Sequence, residues 1–371
     1  MNAIEERLKD SLGAVAETFP AEAVPDLRLP ARRLALSRRL VPLIAAGAVA
    51  AATAGVAVAL PDATPRHRTP QVTAVPPLGQ AAIPPRYYLA AVVPDRIAVY
   101  ETATRRKVAR TSIGGVTRLA GTGDGRTFFA MTDQGAHRFY RIRITDKGKV
   151  AETTPVPVKV ESGSVVAFAA SGDGTKLALV LQLGVTNGTP KPDTMRGAVE
   201  VADLTTGTTA TWRSSAQGLV QSVAMDPTGR TVAFDWQTLG RDHVSQIRAL
   251  DVTSKNTDLL ASRIMVRTAT FGAVSGPLAF SPDGRSIAAI GQSEKGGVQI
   301  VRYPVTPGPR PRVLLSARPG GAAEFGALAF DPTGTNLLFE GGGYPVSRLA
   351  NGTVTLLGDR KDADVESAAA W

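Results

Sequence analysis

Apolar and polar positions recur in one pattern from residue 119 onward. Five segments share it, and they read LAGTGDGRTFFA, FAASGDGTKLAL, VAMDPTGRTVAF, LAFSPDGRSIAA and LAFDPTGTNLLF. Their turn glycines are 49, 55, 55 and 50 residues apart, at Gly125, Gly174, Gly229, Gly284 and Gly334. Each segment predicts a hairpin of two buried strands whose turn holds glycine at positive φ.

An alanine stands five residues before each of these glycines. The five are Ala120, Ala169, Ala224, Ala279 and Ala329. A side chain this small suits a strand that passes where neighbouring sheets crowd together near an axis. The inner strand of each hairpin is therefore expected next to a central axis.

A second, amphipathic hairpin belongs to each repeat. Residues alternate between apolar and polar on both sides of a turn in six places, beginning near Ile97, Arg138, Ala198, Gln246, Val298 and Tyr344. Such alternation is typical of outer strands with one solvated face. Four strands per roughly 50 residues predict the blades of an all-β, six-bladed β-propeller.

The sequence contains six outer hairpins but only five complete inner hairpins. One blade, the first, therefore lacks an inner strand. The last residues, Ser367–Trp371, fit the inner-strand pattern if Ala370 takes the place of the repeated alanine. Trp371 then occupies the aromatic position of Phe280 and Phe330. We predict that this C-terminal strand completes the first blade and closes the ring, because an open ring would leave unpaired strand edges.

The S-P-D-G and D-P-T-G turns at 281–284, 331–334 and 226–229 resemble those of TolB-like and WD40-like propellers. The resemblance covers about residues 86–371 and implies architecture rather than an activity. The tryptophan–aspartate and glycine–histidine signatures of true WD40 blades are missing.

Residues 40–61 form a stretch of 22 residues without a charge. As a helix, 40–60 would span roughly 30 Å, about one hydrocarbon thickness. Five arginines and no acid precede it between Arg28 and Arg39, which by the positive-inside rule places the N-terminus in the cytoplasm. We predict a retained, single-pass signal anchor in the cell membrane. A cleaved signal peptide and a buried soluble helix remain the alternatives.

The cytoplasmic segment 1–39 has a short apolar stripe. Ile4, Leu8, Leu12 and Val15 have the spacing of an amphipathic helix. Such a helix would either bind an intracellular partner or lie on anionic lipid. Together with the span, residues 1–60 resemble membrane proteins of high-GC bacteria associated with extracytoplasmic-function sigma factors. That resemblance implies a sigma factor or another regulator as the cytoplasmic partner.

Seven prolines in residues 61–85 predict a semi-rigid linker that reaches at most about 75 Å. It would hold the propeller, residues 86–371, outside the cytoplasm and away from the bilayer.

Composition and charge disfavour zinc, calcium and nucleic-acid sites in the protein. The chain of 371 residues has no cysteine, and its three histidines are far apart in sequence, which disfavours a zinc site. The net charge of +10 is not concentrated in a dense basic run, and basic residues without interleaved aromatics predict no nucleic-acid partner. Asp124, Asp173 and Asp283 lie in tight turns and are better explained by turn chemistry than as calcium ligands.

Two functional hypotheses remain. The first is a non-enzymatic module that binds an extracytoplasmic ligand or protein, with no catalytic residue, metal or cofactor. The second is a lactonase-like hydrolase with a metal in the central channel, which would need acidic and amide side chains at one channel mouth.

Overall fold

The computed structural model describes residues 84–371, except for 93–95, 133–136, 161–162, 187–188, 191–194, 240–243, 269–275, 293–297, 307–308, 318–324, 342–343 and 358–365. The predicted segments 1–39 and 40–60, and nearly all of the linker, lie outside these residues. No helix within the described part is long and apolar enough to cross a membrane.

The first three blades take up the described residues as far as Arg213. Blade 1 contains β1 (Tyr87–Val92), β2 (Arg96–Glu101) and β3 (Lys107–Arg110). Blade 2 contains β4 (Val116–Gly121), β5 (Thr127–Thr132), β6 (Arg138–Ile144) and β7 (Val150–Val156). Blade 3 starts with β8 (Ser164–Ala170) and β9 (Lys176–Leu183), followed by a small hairpin of β10 (Val185–Thr186) and β11 (Thr189–Pro190), and ends with β12 (Arg196–Asp203) and β13 (Thr209–Arg213).

The other three blades follow the same plan. Blade 4 contains β14 (Gly218–Leu219), β15 (Val223–Met225), β16 (Thr231–Thr238), β17 (Ser245–Asp251), a 3-10 turn (Leu259–Ala261) and β18 (Arg263–Thr268). Blade 5 contains β19 (Leu278–Phe280), β20 (Ser286–Gln292), β21 (Val298–Pro304) and β22 (Arg312–Ala317). Blade 6 contains β23 (Phe325–Phe330), β24 (Asn336–Gly341), β25 (Tyr344–Ala350) and β26 (Thr353–Leu356), and the chain ends with β27 (Glu366–Ala370).

These six antiparallel sheets confirm the prediction of an all-β, six-bladed propeller with four-stranded blades. Blade 1 has the strand order β27-β1-β2-β3, so the last strand supplies the innermost position of the first blade. Leu89 pairs with Ala370, and Ala91 pairs with Ala368. The last strand of the chain thus pairs with the first strand of the propeller, at the place where the ring would otherwise be open.

Blade 4 departs from the regular plan at its innermost position. Its inner strand is split into β14 and β15, and both segments pair with β16. Residues 220–222 lie between the two segments, outside the ladder. The carboxylate of Asp235 on β16 accepts the backbone N–H groups of Gln221 and Ser222 at 2.8 and 2.7 Å, which replaces the missing strand pairing there.

The hydrophobic core is distributed around the ring. Among the described residues there are six buried clusters, and each joins two neighbouring blades. Ala370, for example, packs with Phe128 of blade 2, while Trp371 packs with Leu338 and Val346 of blade 6. The strand β27 therefore contributes to the two interfaces that close the ring.

Candidate functional site: the central channel

A channel of about 900 Å³ runs along the axis, lined by residues of β4, β8, β15, β19, β23 and β27. Alanine is the commonest residue in its wall, followed by glycine and proline, and aromatic side chains lie at Phe168, Phe280, Phe330 and Trp371. A concave cavity of this size, with apolar side chains and convergent polar groups in its wall, has the usual form of a binding site in a protein.

The repeated turns encircle one end of the channel. The five glycines that the sequence analysis singled out all lie here, and their φ angles are 62, 69, 67, 67 and 70°, in the order Gly125, Gly174, Gly229, Gly284 and Gly334. An L-residue rarely adopts this backbone conformation, so glycine is needed in each turn.

Adjacent turns touch one another around the axis. The Gly123 N–H donates to the Gly172 carbonyl at 2.8 Å. A Cβ added to Gly172 would lie 2.8 Å from the Pro227 Cα, and one added to Gly334 would lie 3.2 Å from the Pro282 Cδ. We call this set of five turns, 122–125, 171–174, 226–229, 281–284 and 331–334, the turn ring.

The aspartates of these turns are engaged within the turns themselves. Asp124 Oδ1 accepts the N–H groups of Arg126 and Thr127, both at 2.7 Å. Burial alone would raise the pKa of Asp124, but these bonds and those from the Thr127 and Thr122 hydroxyls lower the pKa below its ordinary value. Asp173 and Asp283 likewise accept backbone N–H groups two residues ahead, from Thr175 and Arg285.

The opposite end of the channel carries a different set of side chains. We call it the strand-start mouth, because the inner strands begin there; its described polar side chains include Arg118, Gln221 and Glu340. Arg118 is exposed, and its guanidinium donates to the Thr117 carbonyl at 2.8 Å and to the Val166 carbonyl of blade 3 at 3.3 Å. The described part of this mouth thus contains the cation of Arg118, the half-buried carboxyl group of Glu340 and the exposed amide of Gln221.

A second carboxyl group lies behind this mouth. Asp235 is completely buried, and burial raises its pKa from 3.8 to about 6, although the Gln221 and Ser222 N–H groups favour the ionised form. Its Oδ2 accepts a bond from Gln237 Nε2 at 3.3 Å, and the same Nε2 donates to Gln221 Oε1 at 3.4 Å. Asp235 is therefore linked to the channel lining by both the backbone and the side chain of Gln221.

The remaining candidate residues do not meet at the channel. His137 Nε2 accepts the Val165 N–H at 3.1 Å, a contact between blades 2 and 3, whereas His67 and His243 lie outside the described residues. In the part of the chain that the structure describes, no three histidine, aspartate or glutamate side chains lie close enough to hold a metal ion.

Sequence reasoning missed the side chains of the strand-start mouth. A usable signal was present: Asp235 interrupts the apolar run VAFDW six residues after its turn glycine, and Glu340 occupies the same repeat position in LLFEG. A carboxylate within an otherwise apolar inner hairpin is unusual enough to mark a special position.

Comparisons with known proteins bear on the fold. No family model matches the chain, and no curated protein matches it. A structure of TolB from Acinetobacter baumannii is similar with a TM-score of 0.50 and 13% identity, over 77% of this chain and 65% of that chain.

Two further solved structures have lower TM-scores. One, described as TolB from Agrobacterium tumefaciens, has a TM-score of 0.49 and 17% identity, over 73% of this chain and 89% of that one. The Cps50 (Swd1) β-propeller domain from Myceliophteria thermophila has a TM-score of 0.41 and 14% identity, over 72% and 79%. At these identities the likeness concerns the fold alone: the chain folds as a β-propeller similar to that of TolB.

Proposed function

We propose that the protein is a non-enzymatic binding module whose propeller takes a ligand or a protein segment into the central channel through the strand-start mouth. The observation that carries this proposal is the channel itself, a cavity of about 900 Å³ whose wall combines small apolar and aromatic side chains with the polar groups of the strand-start mouth. Apolar side chains in such a cavity can bury the surface of a ligand, and the polar groups can fix the ligand's orientation.

The proposal includes a location. Residues 40–60 anchor the chain in the cell membrane, the linker 61–85 spaces the propeller from the bilayer, and the propeller faces the outside of the cytoplasm. The support is the uncharged stretch itself and the arginines that precede it. Binding outside could then be communicated to residues 1–39 and to a cytoplasmic regulator such as a sigma factor.

Site-specific photocrosslinking in cells tests where binding occurs. A photoreactive residue at Gln221, on the strand-start mouth, should capture a discrete adduct, and Arg118→Glu should weaken or abolish it because the cation at the mouth is reversed. The same photoreactive residue at Lys147, an exposed position in the turn between β6 and β7, is the matched control. Identical adducts from both positions would refute binding at the channel.

A separate measurement addresses the lactonase-like alternative. Metal analysis of the purified full-length chain should find no stoichiometric metal, and the chain should not hydrolyse lactones. A bound metal together with lactone turnover would overturn the non-enzymatic part of the proposal.

A further inference from the structure

Two residues of segment 220–222 at the strand-start mouth, Gln221 and Ser222, are hydrogen-bonded to one buried side chain. No strand pairing fixes these residues, and the Asp235 carboxylate accepts the N–H groups of both Gln221 and Ser222 through the same oxygen, Oδ1. In return, the Asp235 N–H donates to the Ser222 carbonyl at 3.3 Å. Val220 is fixed by burial in the core between blades 3 and 4, so it is the position of Gln221 and Ser222 that depends on how well Asp235 accepts hydrogen bonds.

The surroundings of Asp235 are neutral on each side that the structure describes. Phe234 and Trp236 flank it on β16, and the apolar Ile247 pairs with it from β17. The inner-strand side contributes the two backbone N–H groups and the Ser222 hydroxyl, which also favours the ionised form. The side toward blade 5 belongs to an apolar cluster that contains Ile247 and Leu278. The charged side chains at the mouth, Arg118 and Glu340, belong to blades 2 and 6, which are not neighbours of blade 4.

Protonation of Asp235 would rearrange the contacts around it. Because Oδ1 already accepts two N–H groups, the proton belongs on Oδ2, which then becomes a donor. Gln237 Nε2, 3.3 Å away, is also a donor, so the Gln237 amide must turn its oxygen toward Oδ2. That rotation withdraws Nε2 from Gln221 Oε1 and releases the Gln221 side chain at the channel mouth.

We propose that Asp235 is a proton-operated latch, which holds Gln221 and Ser222 at the strand-start mouth when it is ionised and loosens them when it takes a proton. Loosening breaks the bonds from these two residues but leaves Asp235 buried, so the ionised form, which these donors favour, is the latched one. The change moves Gln221, and hence alters the shape and polarity of the mouth. The raised pKa of Asp235, about 6, places this change in mildly acidic conditions. The latch is a property of the fold and does not depend on which ligand enters the channel.

Amide hydrogen exchange of the full-length chain, resolved to Gln221 and Ser222 by mass spectrometry with fragmentation, tests the latch. After correction for intrinsic exchange, protection at these two amides should be about five-fold lower near pH 5 than near pH 7.5, because a charge-assisted hydrogen bond becomes a neutral one. Equal protection at both pH values in the wild-type chain would overturn the proposal without any variant.

Two variants assign the effect to Asp235. Asp235→Asn keeps an oxygen acceptor but cannot titrate, so protection should stay at the low-pH level at both pH values. Asp331→Asn is the matched control: Asp331 is also completely buried and accepts the N–H groups of Thr335 and Asn336, but it lies in the turn ring. It should keep the wild-type response at Gln221 and Ser222. An unchanged pH response in Asp235→Asn would refute the assignment.

Discussion

Replacing Trp371 with alanine should destabilise the propeller more than any other single truncation at the ring closure. Trp371 is only 2% exposed and packs with Tyr88, Leu338 and Val346 between blades 1 and 6. Its indole N–H makes no hydrogen bond with the described residues, so the loss is one of apolar burial.

The expected magnitude follows from the buried area. A tryptophan side chain buries about 150–250 Å², which at about 25 cal/mol per Å² is worth about 4–6 kcal/mol. Residual burial in the unfolded chain reduces this value by roughly 10–40%, which leaves about 3–5 kcal/mol. Core truncations of aromatic residues to alanine fall in the same range, about 3–5 kcal/mol.

Equilibrium denaturation of the full-length chain, followed by circular dichroism, measures the effect. Trp371→Phe is the matched control and should recover most of the lost free energy of unfolding, because it restores an aromatic ring and sacrifices no hydrogen bond. A loss of less than about 1 kcal/mol for Trp371→Ala would be that of a surface position and would refute the role of Trp371 in closure.

Four other outcomes are expected. Gly172→Ala should lower the melting temperature, since its Cβ would lie 2.8 Å from a proline Cα, whereas Gly291→Ala, with nothing within 4 Å, should not. Asp235→Asn should remove a pH dependence of stability. Because burial raises the pKa of Asp235 from 3.8 to about 6 in the folded chain, the wild type should lose about 3 kcal/mol of stability as pH rises from below 3.8 to above 6; a denaturation series in which the variant loses as much would refute this. A reporter enzyme that works only outside the cytoplasm should be active when fused after Trp371; activity only from an N-terminal fusion would reverse the topology. A photoreactive residue at Leu8 should capture a cytoplasmic protein, and adducts to lipid alone would reject a partner for residues 1–39.

Local chemistry made the blades predictable from the amino-acid sequence. Glycine tolerates the positive φ of the turn, and alternating apolar residues need a buried face, so both leave periodic traces in the chain. Gly125, Gly229 and their equivalents therefore located the inner hairpins. The missing inner strand likewise pointed to Ala370 and Trp371, because a propeller with an unpaired edge is disfavoured.

The strand-start mouth was decided only by the tertiary structure. Arg118, Gln221 and Glu340 are far apart in sequence and come together because blades 2, 4 and 6 converge on one axis. The sequence marks Asp235 as unusual within an apolar run, but not that its carboxylate reaches across to Gln221 and Ser222 and takes the place of strand pairing there. Periodicity reports which residues share an environment, whereas a site arises from which residues meet, and that depends on closure of the whole ring.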